Sequence, residues 1–324
     1  MVQIVFIGIA AGAAAALLFA SVVSGSLLSV ALFYLAPLPL LIAALGWSHV
    51  AGLVAALVAA ASLAAVFGPF LFLAFLLGVG LPAWWLGYLA LLARAVATPS
   101  GETLEWYPVG RLVWWAAILG ALVVIVAIPN FGLDAESFRG ALRRTFERIL
   151  RMQTGGTAGA PLSLPGVADP NRLLDILVTA IPPAAAVLST LTSLLNLWLA
   201  GVIVRASGRL KRPWPNIPAM TFPPYAPMLL AIAVAGTFLP DLPGIVSGIL
   251  GASLLVAYTL LGLAVLHAIT LGLSGRALML TGAYFAIGLF GWPIVLMAAV
   301  GLVETMFAFR DRLARKRGPP AAPV

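Results

Sequence analysis

Ser189, Ser193 and Asn196 stand at i, i+4 and i+7, with Thr192 beside them, in a stretch over 172–204 that is otherwise mostly apolar. On a helix that spacing lines the three side chains along one face. Their chemistry is hydrogen bonding. Among apolar neighbours they require partners: each other, water or a ligand. Pro182-Pro183 precedes them, and two prolines are expected to break the helix and free carbonyls that could line a cavity. The face reads either as interhelical hydrogen bonding or as the polar patch of a ligand cavity, with Asn196 the first choice for a contact.

Two other segments carry breaks, Tyr34-Leu-Ala-Pro37-Leu-Pro39 and Gly78-Val-Gly80-Leu-Pro82-Ala-Trp84-Trp85. If these segments cross a bilayer, broken helices near its middle point to a binding site. Tyr34, Trp84, Trp85 and Tyr88 would then add aromatic walls, although Trp and Tyr also collect at membrane interfaces. His49 and His267 lie near segment ends and read as structural hydrogen-bonding groups. The chain has no cysteine. It also lacks a Gly-Lys-Ser/Thr phosphate loop, an HExxH or GxSxG motif, and clustered acids with metal-ligand spacing. The expectation is therefore no enzyme, no cofactor and no metal.

Charge shows what holds these residues in place. The first charged side chain is Arg94, and the stretches 112–133, 176–204, 213–240, 242–275 and 277–303 carry none. Charged residues make up 9% of the chain and hydrophobic ones 63%, against about 25% charged in soluble domains. A charge at the centre of a bilayer costs about 2.5–3.5 kcal/mol even on lenient scales. Long unbroken apolar runs, without the alternation of a membrane β-barrel, predict an all-α, polytopic transmembrane helical bundle of eight to ten spans. The best count is ten, near 2–23, 27–45, 49–66, 69–92, 111–129, 172–204, 226–240, 243–270, 277–290 and 292–309. Residues 1–317 form one integral-membrane domain and 318–324 a disordered tail.

Ten spans put twelve of the 18 basic residues and four acids on one side, so that the whole formal +8 falls there. The positive-inside rule makes that side cytoplasmic, with both termini on it, in a bacterial inner membrane. The basicity is topological and gives no reason to expect nucleic acid; the bilayer is the first partner. The loop from Arg209 to Pro218 adds bases, prolines and Trp214 suited to anionic headgroups. Asp134–Met152 reads as an amphipathic helix capped by Asp134, with Phe138, Leu142, Phe146 and Ile149 on one stripe. It would cover the bundle at the interface or act as a lid over a site.

Gly8, Gly12, Ala16 and Ala20 form a small-residue ridge on the first span, suited to close helix approach within the bundle or to docking of a separate subunit. The Tyr34–Leu41 stretch (YLAPLPLL), Gly46-Trp47 and the sequence Phe307-Ala-Phe-Arg-Asp-Arg312 resemble the YybS-like family of bacterial predicted membrane proteins. That family is distantly similar to substrate-binding membrane subunits of energy-coupling-factor transporters, in which small residues of the first helix dock onto a membrane coupling subunit. The resemblance makes Gly8, Gly12, Ala16 and Ala20 the matching positions, although the usual repeat there is alanine and a typical subunit has six helices. It implies no substrate. The functional expectation is binding or transport of a small, largely apolar molecule, with energy from a partner. Contacts would come from Asn196, Ser193, Ser189, Tyr34 and Trp84. The alternative is a membrane scaffold or assembly factor.

Overall fold

The computed structural model describes residues 1–98, 101–154, 166–310 and 312; the tail expected at 318–324 lies outside them. Each of the ten apolar segments is helical. The first is α1 (Val2–Ala20), and the second is split into α2 (Leu27–Tyr34) and α3 (Pro37–Gly46). Then come α4 (His49–Phe67) and the fourth segment, α5 (Phe70–Phe75) and α6 (Leu81–Leu91). After these follow α7 (Val109–Ala127), α8 (Ala135–Thr154), α9 (Pro170–Ala206), α10 (Ala226–Gly236), α11 (Asp241–Ile269), α12 (Arg276–Phe290) and α13 (Pro293–Phe307). Among the described residues seven segments are long and apolar enough to cross a membrane; α10, α12 and α13 are shorter, at 11, 15 and 15 residues.

Local chemistry sets the boundaries. Ser26 accepts the Ser29 N–H at the start of α2, and Asp169 accepts those of Asn171 and Arg172 at the start of α9. Asp134 caps α8 as the sequence predicts, and bonds from the Ser137 hydroxyl and backbone N–H hold its carboxyl below the usual carboxylate range. The turn between α12 and α13 passes through Gly291 at φ +71°, a left-handed conformation suited to glycine.

Two expected breaks are absent. Gly78, Gly80 and Pro82 do not interrupt the fourth segment; a π-helical turn over Leu76–Gly80 joins α5 to α6 and absorbs the mismatch. Pro182-Pro183 lies inside a continuous 37-residue α9. Packing by neighbouring helices lets a membrane helix run through proline. A third difference is a two-stranded antiparallel hairpin, β1 (Ala93–Thr98) and β2 (Gly101–Trp106), which pairs Ala93 with Trp106 and Arg94 with Glu105. Its Arg94–Glu105 salt bridge, at 2.7 Å, is exposed and adds little.

The helices associate through small residues. Ala51, Ala55, Ala56, Ala59 and Ala60 of α4 are fully buried. Gly8 faces Val54 and the Ala51 carbonyl, while Gly12 faces the Ala55 carbonyl and Val58, so α1 and α4 run in parallel at backbone contact. Ala16 is buried and Ala20 partly so in the same cluster. The ridge of α1 is thus occupied within the chain. α11 and α13 cross as closely, with Gly262 against the Met297 backbone and Gly301 against that of Tyr258.

α9, at about 1.5 Å per residue, is roughly 55 Å long, and it joins the two halves of the bundle. Its C-terminal part packs with α3 and α6, and its remaining length with α7, α8 and α11. Phe138 and Leu142 of α8 are buried there, and Phe146 is packed against them, whereas Ile149 is exposed. α8 therefore covers one end of the bundle. At the opposite end Arg209 sits 4.7 Å over the Trp47 ring and Arg205 5.1 Å over that of Trp214. Arg310 reaches the Pro218 and Met220 carbonyls from the end of α13. Arg205, Arg209 and Arg310, which charge counting assigns to one side, thus lie at one end.

Candidate functional site: an apolar cavity at the basic end

Asn196 is fully buried, and its amide nitrogen donates to the Tyr34 carbonyl at 2.9 Å and to the Thr192 carbonyl at 2.8 Å. Tyr34 ends α2; Pro37, three residues on, has no N–H to offer the Tyr34 carbonyl, and the Leu38 N–H bonds the Leu35 carbonyl instead. Asn196 therefore caps the hinge of the second segment from another helix, while its Oδ1 accepts no bond from the described residues. Asn196→Ala is expected to strand the Tyr34 carbonyl and lower stability by about 1–3 kcal/mol. A falling thermal midpoint in detergent checks this, and an unchanged one contradicts the capping role.

Ser193 does meet the second and fourth segments. It lines a void with Pro37, Leu41, Gly78, Val79 and Pro82, yet the space is only about 10 Å³, about the size of one water. Ser189 is half-buried on the same helix. Trp84 stacks on Tyr88 with ring centroids 6.0 Å apart, and Tyr88 meets His49 at 5.2 Å. The side chain of Tyr34 is partly exposed, against Phe33. The structure thus joins Asn196 to the Tyr34 backbone and Ser193 to the helix breaks.

Polar pairing elsewhere on α9 escaped the sequence reading. Thr190 and Ser253, both fully buried, share a hydrogen bond of 2.7 Å, and Ser253 donates to the Ala117 carbonyl. This small network ties α9, α11 and α7 together. No spacing rule links positions 63 residues apart.

Space of ligand size lies on another face of α9. A cavity of about 560 Å³ opens among Leu194, Leu197, Trp198 and Gly201 of α9, the first turn of α7, the last turns of α11, and the loop from Leu210 to Met220. α12 contributes Tyr284, which shares a 2.9 Å hydrogen bond with His267 of α11. The walls are almost wholly apolar. The charged side chain of the lining is that of Arg212, which extends two bonds to backbone carbonyls, 3.3 Å to Ala90 and 2.8 Å to Tyr107. Burial of this guanidinium lowers its pKa from the ordinary value. Of the lining, sequence reasoning had singled out only Trp214 with its loop and His267; the leucines carry no signal that separates a cavity wall from packing.

A charge-poor bundle of long apolar helices, joined through small residues, defines a polytopic helical membrane protein. Within that class the chain belongs to the DUF2232 family, described as predicted membrane protein, whose model matches residues 13–303. The matched range takes in the Tyr34 hinge and every residue that lines the cavity. No curated protein and no solved structure matches the chain.

Proposed function

We propose that the protein binds a small, largely apolar molecule in the cavity beside α9 and moves it within or across a bacterial inner membrane. The observation that carries this reading is the cavity itself. Its volume of about 560 Å³ falls within the roughly 300–1,000 Å³ of small-molecule sites, and apolar walls with a few polar groups are what such sites use. The basic end is taken as cytoplasmic by the positive-inside rule. Among the described residues no intramembrane acid is free to serve as an ion site by the usual route, since Glu304 is engaged by Arg310. Energy would then come from a partner. Kinship with the YybS-like proteins would make that partner a membrane coupling subunit. Docking would use the face of α1 that carries Phe6, Ile9 and Leu17, all exposed, because its glycine ridge is seated on α4.

The test is mass spectrometry of small molecules retained by the protein purified in mild detergent. The expected result is a near-stoichiometric apolar or amphiphilic compound. Recovery of nothing beyond bulk lipid and detergent would overturn the reading.

A further inference from the structure

We infer that the ligand of this cavity is an amphiphile with an anionic head, and that Arg212 is the residue that selects the charge. The inference rests on the cavity reading above and adds to it the chemical class of the ligand. Its basis is a charge left without a counter-charge. Buried or half-buried cations in proteins are paired with acids or bound anions, because desolvation of an uncompensated charge is costly.

Three of the other half-buried arginines follow that rule, Arg143 through Asp175 among them, while Arg276 has no acid partner among the described residues. Arg310 is paired with Glu304, and Arg151 with Glu147. Arg212 does not follow it. Among the described residues its hydrogen-bond partners are the carbonyls of Ala90 and Tyr107, which orient the guanidinium without neutralising it, and burial lowers its pKa. Among the described acids at this end of the bundle, Glu105 is paired with Arg94 and Glu304 with Arg310, and Glu102 lies on the exposed hairpin. Arg205 and Arg209, over Trp214 and Trp47, deepen the local positive field. A guanidinium has five N–H donors, so two carbonyl bonds leave donors for a carboxylate or phosphate.

The rest of the lining specifies the other end of the ligand. Leu194, Leu197 and Leu260 offer no hydrogen-bonding group to a second polar head, so a tail fits there and a sugar or a dicarboxylate does not. Head at Arg212 and tail along α9 is the orientation of a lipid whose head lies at the basic surface. A bilayer phospholipid and a single-chain anion from water share this chemistry.

The experiment measures binding of dodecyl phosphate, dodecanol and inorganic phosphate to the full-length protein in phosphatidylcholine nanodiscs. Wild-type protein is expected to prefer dodecyl phosphate over dodecanol by about tenfold or more, the worth of one charge-assisted hydrogen bond, and to leave inorganic phosphate unbound. Arg212→Gln should bring the two alkyl probes to within about twofold, and Arg212→Lys should keep a preference for the anion. Because the ratio of two probes is read, any loss of folded protein lowers both and cancels. Equal binding of the two alkyl probes to wild type, or a ratio unmoved in Arg212→Gln, overturns the charge inference and leaves the cavity reading standing. Binding of neither alkyl probe overturns both. Where dodecyl phosphate binds, its displacement by phosphatidylglycerol placed in the nanodisc assigns the head to a bilayer lipid, and failure of displacement assigns it to a single-chain anion.

Discussion

Glu304→Ala is expected to lower the stability of the folded protein by about 3–5 kcal/mol, because it leaves Arg310 buried and unpaired. The carboxylate and guanidinium are 7% and 12% exposed and lie 2.8 Å apart. Glu304 also accepts the Arg310 backbone N–H at 3.0 Å. Arg310 in turn donates to the Pro218 and Met220 carbonyls, so the pair pins the loop that closes one wall of the cavity. Loss of the carboxylate frees both the end of α13 and that loop. Glu304→Gln keeps acceptors for the backbone bond and should cost less than Glu304→Ala. Thermal or denaturant unfolding in detergent measures the difference. Equal midpoints for wild type and Glu304→Ala would show that the pair does not hold this end of the bundle.

Gly201→Leu is expected to reduce ligand occupancy at least about tenfold, equivalent to about 1.4 kcal/mol of binding, with the fold intact. A Cβ at Gly201 would meet only the Trp214 ring, at 3.5 and 3.9 Å, which is ordinary contact. The remaining atoms of a leucine have nowhere to go but the cavity. Gly262 is a contrast: a Cβ there would collide with the Met297 backbone, and a substitution would push α13 away from α11. Retained compound per mole of protein, read beside the thermal midpoint, separates the two effects. Full occupancy in Gly201→Leu would place the ligand elsewhere.

Individual residues show how far the sequence could be read. The apolar segments were legible because each lacks charge over a membrane-length run, and the hinge at Tyr34–Pro39 and the cap at Asp134 because their chemistry is local. The stripe Phe138, Leu142 and Phe146 was legible through its period. Continuity through Gly78–Pro82 and through Pro182-Pro183 was not, since only neighbouring helices decide whether a proline bends a membrane helix or breaks it. The hairpin left a faint trace in Pro99-Ser100-Gly101 followed by Glu102-Thr103-Leu104-Glu105-Trp106, too short to stand out among long helices. Asn196 was correctly marked as needing a partner, and the partner is a backbone carbonyl 162 residues away, which no local pattern could name. The cavity was hidden for the same reason: Leu194 and Leu197 look alike whether they face a helix, lipid or open space.

Direct imaging of the protein extracted from its own membrane in mild detergent is the most immediate test that this cavity is the ligand site. A density map is predicted to show continuous non-protein density along Leu194, Leu197 and Gly201, ending against Arg212. A cavity that holds only water, or bound ligand density beside Ser193 and the Tyr34 hinge instead, would contradict it.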